Sequence, residues 1–244
     1  GGYEATVFPS NWASPTNTFN SSGTYSKGGL ADDAMVWMYL LGSGGGGGAN
    51  SGPGPGGFGG TAMLIYGTAK IFNGAQYVIG AQKNGSSNTG GNRLAPNHTT
   101  LTLTSGNGGA VFTTANTSSS TGNPTAVFSA LTAASGTYIV GTQASPTVFT
   151  MGDLPSGRER WFNSTGGAAN SNDIVDSVFG GGHGGGVENS GSSRAGGTSL
   201  FSGNGGASGG SNGVNGTFPG GGGGGTNSGT SGFGAAGQLR TYNV

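Results

Sequence analysis

Met35-Val-Trp-Met-Tyr-Leu-Leu41 runs directly into Gly42-Ser-Gly-Gly-Gly-Gly-Gly48. The first half is a strand-sized apolar run rich in aromatic and β-branched residues, and it is too short to cross a membrane, which takes about 20 residues. The second half has almost no side chains to pack. A strand that empties into bare backbone recurs along the chain. Ala62–Tyr66 follows Gly56-Gly-Phe-Gly-Gly60, and Gln238–Tyr242 closes a stretch that contains Gly220–Gly225. Further strands are predicted at Gln76–Ala81, Thr99–Thr104, Ala110–Thr114, Ala126–Leu131, Thr137–Val140 and Thr147–Met151, each bounded by Gly, Asn or Ser. No window of a dozen residues keeps a 3.6-residue apolar period, so essentially no helix is expected.

Glycine supplies 59 of the 244 residues, and with Ser, Thr and Asn it makes up more than half of the chain. Average glycine usage is about 7%. A collagen register is not held for more than a few residues. A solvated linker would not carry 12 Phe, 7 Tyr and 3 Trp. Ordering a glycine costs roughly 0.5–1 kcal/mol more than ordering an alanine, so dozens of ordered glycines cost on the order of tens of kcal/mol. Two outcomes fit: the runs stay mobile, or packing that only glycine permits offsets the cost. Extended helices of three residues per turn approach closely when they lack side chains, and they hydrogen-bond in several directions. Gly44–Gly48 and Gly220–Gly225 are suited to such a polyglycine lattice. The expected fold is therefore all-β and irregular, with short antiparallel strands joined to extended glycine-rich segments.

The uneven glycine divides the chain into an arm (1–27), a first glycine-rich block (28–82), a Thr/Ser-rich β insertion (83–177) and a second glycine-rich block with a closing strand (178–244). The chain begins at Gly1 rather than Met and reads as processed or a fragment. Eight basic residues balance eight acidic ones. Without a basic stripe, the counterion release behind nucleic-acid affinity has no source, so no nucleic-acid partner is expected. Low charge gives little repulsion against self-association, which suits a subunit of a permanent assembly. The absence of cysteine excludes disulfides and thiolate metal sites. No membrane insertion, metal or cofactor is expected.

Chemical motifs read as composition. Gly54-Pro-Gly-Gly-Phe-Gly59 satisfies G-x-G-x-x-G, yet no helix is predicted after it. Ser208 in Gly206-Ala-Ser-Gly-Gly210 lacks the strand, helix and following histidine of a nucleophile elbow. A polysaccharide-cleaving pair of carboxylates would have to come from Asp173 with Asp176 or Asp153 with Glu159, and both pairs read as solvated surface groups. The sequons at Asn20, Asn84, Asn97, Asn116, Asn163 and Asn215 follow from the abundance of Asn, Ser and Thr. Catalysis is not expected. Contacts are sought in exposed inserts instead. Arg158 and Trp161 stand in the charge-dense segment Asp153–Phe162, where Trp161 reads either as an exposed anchor or as core. Glu188, Arg194, Asn212 and Phe218 stand in the inserts between the late glycine runs.

Several phrases resemble the glycine-rich domain of bacteriophage tail-fibre proteins. Thr24-Tyr-Ser-Lys27 followed by Met35–Leu41 and Gly42–Gly48 is similar to that domain's "TYTKP" opening, hydrophobic strand and glycine run, with Gly28 where the family carries proline. Tyr77-Val-Ile-Gly80-Ala81, Gly196-Gly-Thr-Ser-Leu-Phe201 and Gly234-Ala-Ala-Gly-Gln-Leu-Arg-Thr-Tyr242 match later phrases in order. The match covers about 24–81 and 178–244, roughly half of the chain. The resemblance implies a virion protein at the distal end of a tail fibre, often a trimer, joined to other fibre proteins. It would bind a bacterial surface polysaccharide or outer-membrane protein. The glycine lattice is similar in architecture to the adhesins of T-even-like phages. The alternative is a self-assembling extracellular filament, sheath or capsid-surface fibre with a purely structural role.

Overall fold

The computed structural model describes residues 9–49, 54–86, 94, 96–114, 137–141, 159–160, 176–187 and 192–244. The strands are β1 (Asn17–Phe19), β2 (Gly23–Thr24), β3 (Met35–Leu41), β4 (Ala62–Thr68), β5 (Gln76–Val78), β6 (Thr100–Thr102), β7 (Val111–Thr113), β8 (Thr137–Gly141), β9 (Glu159–Arg160), β10 (Asp176–Ser177) and β11 (Gln238–Asn243). One helical turn, α1 (Ala69–Phe72), and a 3-10 turn at Ser105–Asn107 are the helical elements among the described residues. The fold is all-β. The expected strands Ala126–Leu131 and Thr147–Met151 lie outside the described residues.

The main sheet has five strands in the order β1-β11-β3-β4-β8, all antiparallel. A four-stranded antiparallel sheet, β2-β5-β6-β7, packs on one face of it. β9 and β10 form a separate parallel pair. β3 lies in the middle of the main sheet and is covered on both sides. Val36, Met38 and Leu40 join the core shared with the second sheet, which also holds Met63, Ile65, Phe72, Leu101 and Phe112. Trp37, Tyr39 and Leu41 face the other way, into a cluster with Trp12, Leu64, Phe179 and Tyr242. Burial on both faces is why this strand is a continuous apolar run rather than an alternating one. Here Trp12 sets its ring edge-on against Trp37, Phe179 and Tyr242, with centroids 5.5, 5.2 and 5.0 Å apart. Such edge-to-face contacts add to the area term.

Two tyrosines of the aromatic cluster are short of water. The Tyr39 hydroxyl donates to the Phe179 carbonyl, and Ser202 Oγ lies 2.6 Å from it. Tyr242 Oη donates to the Trp12 carbonyl at 2.7 Å. Burial raises both phenols above the ordinary tyrosine range, Tyr242 to about 12. A phenol whose folded pKa is raised favours folding below its unfolded pKa of about 10 and loses that contribution as pH rises through the folded value. Stability is thus expected to be flat through neutral pH and to fall from about pH 10 towards 12. Urea unfolding across that range checks this, and Tyr242→Phe should flatten part of the slope.

The glycine runs leave the sheets together. Segments 43–48, 80–86, 181–187, 203–209 and 220–226 run outward, while 54–60, 192–198, 213–217 and 231–237, together with residues 94–97, run back. Segment 220–226 is the centre of this bundle. Its N–H groups point to three neighbours in rotation. Gly223 and Thr226 donate to Gly45 and Gly48, Gly221 and Gly224 to Thr217 and Val214, and Gly222 and Gly225 to Gly182 and Gly185. Its carbonyls accept from three others: Gly60 and Gly57, Ala235 and Gly232, and Gly206 and Gly209. These bonds are 2.7–3.1 Å long. A repeat of three residues with bonds to neighbours on every side is the hydrogen-bonding pattern of packed helices of the polyproline type. Glycine is required at such a centre because neighbouring backbones touch. A Cβ on Gly223 would come closer than 3.0 Å to the backbone of Gly232 and Phe233.

Hydroxyls fasten the lattice to the sheets and to itself. Thr99 Oγ1 donates to the Leu41 carbonyl at 2.6 Å and accepts from Gly80 N at 2.9 Å, where β3 and β5 pass into glycine. Ser231 Oγ donates to the Gly47 carbonyl at 2.6 Å. Ser208, the central residue of the G-x-S-x-G match, is buried. Its Oγ donates to the Gly186 carbonyl at 3.0 Å and accepts from Arg194 N at 2.7 Å.

Candidate functional site

The direction of each segment sorts the turns into two ends. At the near end the lattice joins the sheets, through 42–43, 60–62, 79–80 and 237–238, and two tight reversals occur there, 199–202 and 218–219. At the far end two reversals lie among the described residues, at 210–212 and 227–230, and the outward segments that end at 49, 86 and 187 are answered by returning segments that begin at 54, 94 and 192. A seven-residue segment rising about 3.1 Å per residue carries these reversals roughly 20 Å from the sheets.

Two of the far reversals are bonded to each other. Asn212 pairs with Thr230, and its Oδ1 accepts from Thr230 N at 3.3 Å. Ser228 Oγ donates to the Gly210 carbonyl at 2.8 Å, and Thr226 Oγ1 reaches the same carbonyl at 3.3 Å. Ser211, Asn212, Ser228 and Thr230 are exposed there. The described part of this end is a neutral surface of hydroxyl and amide groups held on a rigid frame, which is where loops carry binding. Such groups donate and accept hydrogen bonds without the desolvation cost of a charge.

The sequence-predicted contact residues do not gather in one place. Asn212 lies at the far end. Arg194 is partly buried just inside it, and its backbone is paired with Ser208. Phe218 is half exposed but sits in a near-end reversal, away from the far surface. Arg158, Trp161 and Glu188 lie outside the described residues. Sequence reasoning passed over Ser211, Ser228 and Thr230. The Thr226-Asn-Ser-Gly-Thr230 interruption between two glycine stretches was the available signal.

Among the described residues no helix is long and apolar enough to cross a membrane, and no three potential metal-ligating side chains gather. No family model matches the chain, and no curated protein matches its sequence.

Proposed function

We propose that this protein is the receptor-binding tip of a bacteriophage tail fibre, a non-enzymatic adhesin that presents its far-end loops to the bacterial surface. The observation that carries the reading is the pair of mutually bonded reversals, 210–212 and 227–230, at the end of the glycine lattice opposite the sheets in which it is anchored. The neutral hydroxyl and amide chemistry of the described part of that end favours a surface polysaccharide, whose hydroxyls offer matching donors and acceptors. An outer-membrane protein is the second receptor class. Assembly as a homo-oligomer on other fibre proteins accords with the low charge of the chain.

Replacing residues 210–212 and 227–230 by glycine and serine alone should remove saturable binding to susceptible cells and leave the melting temperature within about 3 °C of the parent. Phe218→Ala, at the near end, should leave cell binding intact. Full binding by the loop-replaced protein, or filaments that form and ignore cells, would overturn the adhesin reading in favour of a structural fibre subunit.

A further inference from the structure

A cavity of about 450 Å3 opens near the junction of lattice and sheet, lined by Ala13, Pro15, Thr18, Leu200, Phe201, Ser202, Gln238 and Arg240. Arg240 is its one charged group. It projects from β11 opposite Tyr39 of β3, with its guanidinium 5.2 Å from the Tyr39 ring centroid. Nε donates to Gln238 Oε1 and Nη1 to the Phe201 carbonyl, each at 2.5 Å. A guanidinium has five N–H donors, and with a further side-chain hydrogen bond to Tyr242 two remain. The one salt bridge among the described residues is Lys27 to Asp32, which leaves Arg240 without a carboxylate partner there. A partly buried cation held in a fixed orientation, with no carboxylate partner among the described residues, is suited to bind an anion.

The rest of the lining narrows the ligand. Its polar side chains are largely occupied: Gln238 Nε2 donates to Asn20 Oδ1, and Ser202 Oγ donates to the Phe179 carbonyl. Ala13, Pro15, Phe201 and the exposed Leu200 supply apolar walls. A sugar ring finds few free partners here, whereas a short peptide with one acid between apolar side chains matches both features. We propose that this cavity docks a partner protein through such a segment, with Arg240 receiving the carboxylate and Leu200 and Pro15 the flanking apolar groups. The site lies at the near end, so its occupation leaves the far loops free.

The test titrates the full chain, 15N-labelled, with acetyl-Pro-Leu-Glu-Leu-Pro-amide while the Arg240 Nε–H signal is followed by NMR. The same peptide with Gln in place of Glu is the control. Saturable movement of that signal is expected, with binding at least about tenfold weaker for the Gln peptide, as the loss of a charge-assisted hydrogen bond implies. Arg240→Gln should weaken binding equally. Because Arg240 also braces Phe201, Leu200→Asp at the exposed wall provides a variant that does not disturb the fold, and it too should weaken binding about tenfold. Equal binding of the two peptides, or indifference to Leu200→Asp, overturns the proposal. Glucuronic acid moving the Arg240 signal as strongly as the Glu peptide overturns it as well, by making the cavity a saccharide site.

Discussion

Gly223→Ala is expected to lower the thermal midpoint by about 10 °C or more, a loss of about 4 kcal/mol in a chain of this size. One methyl group is a large perturbation here because of what surrounds it. Gly223 N donates to the Gly45 carbonyl at 2.9 Å, and its own carbonyl accepts from Gly57 N at 2.7 Å. The added Cβ points at the backbone of Gly232 and Phe233. Those are main-chain atoms, so no side chain can rotate away. Segment 231–237 would have to move outward as a unit, breaking Gly232 N to Gly224 O and Ala235 N to Gly221 O. Two lost hydrogen bonds of about 1 kcal/mol each, together with about 1–3 kcal/mol of overpacking strain, account for the figure. Gly29→Ala is the matched control, because nothing lies within 4 Å of a Cβ there. Its midpoint should change by no more than about 2 °C. A Gly223→Ala protein that melts with its parent would mean that the lattice is not close-packed.

The second large effect is expected at Phe179, where Phe179→Ala should cost about 3–5 kcal/mol in urea unfolding. This side chain is fully buried and joins the glycine lattice to the main sheet. Its ring meets Trp12 at 5.2 Å, Tyr39 at 5.7 Å and Phe201 at 5.3 Å, and its carbonyl accepts from the Tyr39 and Ser202 hydroxyls. Truncation leaves a cavity walled by rings attached to three separate stretches of chain, which cannot collapse onto one another without shifting the strands beneath. Tryptophan emission should move to longer wavelength as Trp12 loses its neighbour. Val78→Ala, at an exposed β5 position, should stay within about 0.5 kcal/mol. A loss below about 1 kcal/mol for Phe179→Ala would show that lattice and sheet are held together elsewhere.

Strands with a long apolar signature were legible. β3 spans the expected Met35–Leu41, and β4, β5, β6, β7, β8 and β11 differ from expectation by a few residues at their ends. In β3 the alternation places Trp37 and Tyr39 on one face and Val36, Met38 and Leu40 on the other, a local property of the chain. β1 and β2 were not legible. Asn17–Phe19 and Gly23–Thr24 are too short, and too interrupted by Asn and Gly, to carry a strand pattern, and they are strands because β11 and β5 offer open edges. Trp12 likewise gave no sign that it would enter the core from an arm of turn residues.

The same division holds for the candidate site. That glycine runs interrupted by Ser, Thr and Asn are able to form a lattice with projecting loops was legible from composition and from the geometry of side-chain-free helices, with mobile runs as the other outcome. Gly44–Gly48 and Gly220–Gly225 are nearly identical as sequence, yet 220–226 is surrounded by six neighbours. Only the paths of the other segments decide which run is central, because a glycine carries no side chain that records its partners. The ends were decided in the same way. Asn212 and Phe218 are six residues apart in sequence, but one intervening segment carries them to opposite ends of the lattice. The sequence by itself determined that this chain is a β fold and left its glycine runs either mobile or packed; their packing is decided by backbone contacts between segments far apart in the chain. The tertiary structure alone decided which loops share a surface and left Arg240 facing a cavity with no carboxylate partner among the described residues, because both depend on contacts between segments far apart in the chain.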